Sequence, residues 1–73
     1  MHRLVIKPLV LGKILVKYYD FRLERQRGSH MILLDESGHM VVIPLHGKEL
    51  KEGTLHAILK QAGLTKEDII KYL

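Results

Sequence analysis

The sequence predicts an α+β domain in which one helix precedes a three-stranded antiparallel sheet and two helices follow it. Three observations carry that expectation. Apolar residues recur at the helical period over Leu11–Tyr19 and again over Leu55–Ala62, two short apolar runs flank a Gly-containing turn at Asp35–His39, and 73 residues suffice for one compact domain but not two.

The first helix rests on Leu11, Ile14, Leu15, Tyr18 and Tyr19, spaced i, i+3, i+4, i+7 and i+8 on one face. Pro8 lies just upstream, and Asp20 tolerates the left-handed conformation that a helix end often needs. From Phe21 to Arg25 the residues alternate, which turns Phe21 and Leu23 inward and Arg22 and Glu24 outward on a half-buried strand. Gly28 and Ser29 punctuate that strand, and Met31–Leu34 and Met40–Ile43 form a hairpin around Asp35–His39. Pro44 cannot donate to a ladder, so the third strand ends near it or lies at an edge. In the second helix Leu55, Ile58, Leu59 and Ala62 share a face, Thr54 is the expected cap, and Gly63 closes the last turn. Thr65 and Asp68 have capping-box spacing, with Leu64 and Ile69 as a hydrophobic staple, which predicts a short terminal helix. The layout is thus a single domain over 1–73: an apolar N-terminal segment over 1–11, a helix over 12–20, the sheet over 21–45, a helix over 53–63 and a short helix over 65–72.

Composition narrows the function. Hydrophobic residues make up 47% and charged residues 27% of the chain, with two prolines and six glycines, a globular profile. A domain this small buries only about 60% of its unfolded surface, so a deep substrate cavity is not expected. The absence of cysteine excludes disulfides, thiolate zinc sites and cysteine nucleophiles. The apolar stretch from Leu4 to Val16 is broken by Lys7, Pro8, Gly12 and Lys13 and falls short of the ~20 residues a bilayer span requires. No cleavage site follows it, so the expectation is a cytoplasmic chain with no membrane partner.

Charge is unevenly placed. Residues 1–30 carry seven Lys/Arg against two acids, while residues 31–73 carry five against six. Arg22, Arg25 and Arg27 are the densest point of this excess, and a polyanion suits such a patch. The five histidines (His2, His30, His39, His46 and His56) never fall at metal-ligand spacing, so no metal site is expected. No glycine-rich phosphate loop precedes a helix, and no nucleotide cofactor is indicated. Ser29 lies outside any nucleophile elbow.

What remains is His30 at the head of a strand, directly after Arg25-Gln26-Arg27-Gly28-Ser29. An imidazole can take a proton from a ribose 2′-OH or give one to a leaving 5′-oxygen while arginines hold the phosphate, chemistry that contributes about 10²–10⁴-fold. On spacing alone the commoner case for His30 is a plain exposed strand residue. His46, after Pro44-Leu45 at a sheet edge, is the second acid/base candidate, with backbone capping as its plainer role. His2, His39 and His56 read as solvated, and Tyr18 and Tyr19 are either base-stacking or packing residues.

Two stretches then carry a resemblance. Arg25-Gln26-Arg27-Gly28-Ser29-His30 before an apolar strand, and Val42-Ile43-Pro44-Leu45-His46 leading through Glu49–Leu55 into Ile58–Leu64, resemble the HicA family of mRNA interferase toxins over roughly Gly12 to Ile70. The resemblance implies a double-stranded-RNA-binding-domain-like fold and an endoribonuclease that cleaves mRNA with His30 as its catalytic group. It also implies a HicB-type antitoxin as partner in a toxin–antitoxin hetero-oligomer. Two positions depart from the family's pattern: Leu11 stands where a serine or threonine cap is common, and Asp20 where a glycine is common. The expected site is therefore His30 and His46 as acid/base groups, with Arg25, Gln26, Arg27, Ser29, Lys48, Lys51 and Lys60 contacting RNA, without metal or cofactor. The alternative is a non-catalytic RNA-binding module of the same fold that grips RNA by shape.

Overall fold

The computed structural model describes residues 3–73. Its elements run α1 (Pro8–Tyr18), β1 (Arg22–Arg27), β2 (His30–Leu34), β3 (Met40–Pro44), α2 (Glu52–Ala62) and α3 (Lys66–Ile70). The strands form one antiparallel sheet in the order β1-β2-β3. This is the expected α+β layout.

Helix α1 begins at Pro8 and so takes in the last part of the segment expected to precede it. Proline suits a first helical turn, where its missing N–H has no partner to lose. Of the described residues before α1, Ile6 is buried, its carbonyl accepts a 2.9 Å bond from Leu50 N–H, and Arg3 reaches Glu49 at 3.6 Å. Gly12 leaves room where α1 crosses Met31 and Ile43, since a Cβ there would collide with the Met31 side chain. The helix ends at Tyr19, and Asp20 follows at φ 59°, the left-handed value anticipated for it. Helix α2 starts one turn earlier than Thr54 suggested. Its N-cap is Lys51, with no side-chain cap bond, and Gly63 closes it at φ 73°. In α3 the Thr65–Asp68 capping box forms in both directions.

The core is one cluster in which Leu11, Ile14 and Leu15 of α1 meet Leu33, Val41 and Ile43 of the sheet and Leu55, Ile58, Leu59 and Ala62 of α2. Odd-numbered residues of β2 and β3 therefore face the helices, and the opposite sheet face is left open. The terminal helix is tied on by Tyr19, whose hydroxyl donates to the Asp68 carbonyl at 2.6 Å, and by Tyr72, which stacks on Tyr18 at 3.7 Å. Packing thus uses both tyrosines. Burial pushes the Tyr19 hydroxyl's pKa up.

Leu23 corrects the strand reading. It is 55% exposed, although cross-strand pairing with Leu33 puts it on the helix side of the sheet. Strand β1 is an edge and every residue in it is exposed, because the helices cover β3 and β2 and do not reach out over β1. Alternation predicts which face a residue takes; it does not say whether anything covers that face.

Candidate active site

Arg27 pairs with His30 across a two-residue turn, Gly28-Ser29. Gly28 has φ 54° while Ser29 does not share a positive φ, the pattern of a type II′ hairpin turn, which calls for glycine first. The ladder between β2 and β3 then continues beyond Pro44. His30 stands opposite Pro44, and the Leu45 N–H donates to the Ser29 carbonyl at 2.6 Å. That bond carries the chain past the proline and sets His46 beside the head of β2. The His30 and His46 rings lie 6.4 Å apart, edge to face at 87°. Both are exposed at the end of the sheet.

A bulge completes the arrangement. Pairing runs Leu23 with Leu33 but Arg25 with Ile32, so Glu24 is an extra residue in β1. Strict alternation would put Arg22 on one face and Arg25 and Arg27 on the other. With Glu24 inserted, Arg22, Arg25 and Arg27 pair with Leu34, Ile32 and His30 respectively, and cross-strand partners share a face. All three arginines therefore stand on the open face with His30. None has a carboxylate partner among the described residues.

The other expected contacts disperse. Gln26 pairs with Met31 and so lies on the helix side, its amide near the Gly28 carbonyl at 3.4 Å. Lys51 lines a groove of about 310 Å³ with His46, Glu49 and Thr54. Lys48 lines a separate groove with Lys7–Val10. Lys60 lies nine residues beyond Lys51 on α2, roughly 14 Å along the axis, in a groove with His56 and Thr65. Arg22 was visible in the charge run, but only the bulge puts it on the histidine face.

His39 is not simply solvated. Its N–H donates to Asp35 Oδ1 at 2.8 Å, its Nδ1 lies 2.7 Å from Oδ2, and its ring rests against Gly63. Burial works to raise the Asp35 carboxyl's pKa, but the His39 ring and backbone hydrogen bonds outweigh it and hold the group below the usual carboxylate range. His56 is exposed, and His2 lies outside the described residues. Among the described residues no three His, Asp or Glu side chains converge on a metal position, and no helix is long and apolar enough to cross a membrane.

These observations define a small α–β–β–β–α–α domain with a basic edge strand and two histidines at one end of its sheet. A family model described as the HicA toxin of bacterial toxin–antitoxin systems matches residues 11–64. That span is most of the 73 residues, and the chain belongs to the HicA toxin family. No curated protein matches the chain.

Proposed function

We propose that this toxin is an endoribonuclease that cleaves mRNA with His30 and His46 as its acid/base pair. The observation that carries the reading is the 6.4 Å separation of two exposed imidazoles beside Arg27. One imidazole takes the proton from a ribose 2′-OH as that oxygen attacks the adjacent phosphorus. The other gives a proton to the departing 5′-oxygen, leaving a 2′,3′-cyclic phosphate and a free 5′-hydroxyl. Arg25 and Arg27 hold the non-bridging phosphate oxygens through the attack, with the Ser29 hydroxyl and Lys51 as further donors. A shallow site is adequate, because the reacting group is a phosphodiester on an extended polymer. The partner that keeps such an enzyme silent is a HicB-type antitoxin covering this end of the sheet.

The test is incubation of the purified chain with a long single-stranded RNA in excess EDTA, beside His30→Ala and His46→Ala. Cleavage by wild type with cyclic or 3′-phosphate ends, lost in His30→Ala and reduced about 10²-fold or more in His46→Ala, is the expected result. Full cleavage by His30→Ala, or salt-sensitive RNA binding with no cleavage by wild type, overturns it, and the latter leaves the binding module.

A further inference from the structure

The open sheet face extends well past the histidines, and its chemistry is divided along its length. On the β1 side stand Arg22, Arg25 and Arg27, exposed and without ion-pair partners among the described residues. Beside them, in register, are Leu34, Ile32 and His30 of β2, and beyond those Met40, Val42 and Pro44 of β3. None of these nine residues is a carboxylate. Ile32, Leu34 and Val42 are only partly covered by their neighbours, and Met40 is 53% exposed.

We infer that this face is a track for single-stranded RNA, with the phosphates along the arginine row and unpaired bases on the Ile32–Leu34–Val42 surface. The inference rests on the ribonuclease reading above and adds where the strand beyond the cleaved bond lies. The arginines stand opposite every second residue of β2 (Leu34, Ile32 and His30), so the cationic rungs recur about 6.6 Å apart, within reach of successive phosphates of an extended strand. Three guanidinium groups with no ion-pair partner among the described residues complement a polyanion, and an apolar floor beside them suits base faces rather than a second phosphate row. A duplex offers no such faces, because its bases are stacked on one another. The strand thus runs from the scissile bond at His30 towards Leu34 and Arg22, two rungs away. Arg22 is on this account a positioning residue that never touches the reacting phosphate.

The experiment measures anisotropy of a short fluorescent single-stranded RNA on the His30→Ala protein across a salt series, with Arg22→Ala, Leu34→Ser and Lys13→Ala added singly. Lys13 lies on α1, away from this face. Circular dichroism verifies that each variant is folded. Arg22→Ala is expected to weaken binding several-fold and flatten the log–log salt slope by about 0.7, the share of one phosphate contact on a single strand. Leu34→Ser is expected to weaken binding without changing the slope, Lys13→Ala to change neither, and a duplex of the same sequence to bind more weakly. In the His30-intact enzyme, Arg22→Ala raises KM with kcat nearly unchanged. Equal binding of duplex, or unchanged affinity and slope in folded Arg22→Ala, overturns the track while leaving the ribonuclease reading standing. Loss of affinity for a HicB-type antitoxin with RNA binding untouched makes the face a protein interface and overturns it as well. If wild type neither binds nor cleaves RNA, it is the ribonuclease reading that fails.

Discussion

Gly28 is where local conformation and chemistry meet most closely. Its φ of 54° makes the two-residue turn, and a Cβ there would meet nothing within 4 Å, so any penalty on substitution is conformational. Gly28→Ala is expected to cost about 1–3 kcal/mol, the strain of a side chain held at positive φ in the first position of this turn. Because the same turn sets the Arg27–His30 rung and the Ser29 carbonyl that Leu45 bonds, RNA cleavage should fall more than stability alone implies. Melting and cleavage measured on one preparation separate the two; a variant that melts lower but cleaves as wild type would show that the turn does not position the site. The Gly-Ser-His string was legible as punctuation before a strand. Its second duty, holding His46 through the Ser29 carbonyl, was not, since that bond joins residues sixteen apart in the chain.

Among the elements, β1 differs most from its sequence pattern. Leu23 alternates as an inward residue and yet is 55% exposed, while Leu33, its partner across the ladder, is fully buried. Leu23→Ala is therefore expected to change stability by no more than about 0.5 kcal/mol. Leu33→Ala should cost about 2–5 kcal/mol, enough to threaten a domain with so thin a core. Denaturant unfolding of the two variants checks this, and comparable losses in both would mean that β1 is covered after all. The bulge at Glu24 belongs to the same scale. It is a property of how β1 registers on β2, and no run of residues within β1 announces it.

Across the whole molecule, one sheet face carries the core and the other carries the charge, and acid acts on the tethers between elements. Asp35 is held by His39 against the end of α2, and Asp68 caps α3. The backbone hydrogen bond from Thr65 holds the Asp68 carboxyl below the usual carboxylate range against its partial burial. Both carboxyls bind protons less readily folded than unfolded. Their contribution is complete above the ordinary carboxylate pKa of about 4 and is lost as pH falls through the depressed values. The melting temperature is expected to drop on acidification below that point, and Asp35→Asn should melt lower at neutral pH with a shallower acid decline. An unchanged pH profile in that variant would place the acid sensitivity elsewhere.

Element order and type were set by the sequence itself, because helical periodicity, the Gly-containing turns and the Thr65–Asp68 box act over a few residues and need no distant partner. The charge asymmetry and the histidine after Gly28-Ser29 were equally plain. Tertiary structure decided which of those residues meet. The Leu45–Ser29 bond brings His46 to His30, the bulge turns Arg22, Arg25 and Arg27 to one face, and the reach of α1 and α2 leaves β1 uncovered. Each depends on strand register or on how far one layer extends over another. Such quantities are set by contacts between residues distant in sequence, and local pattern carries no record of them.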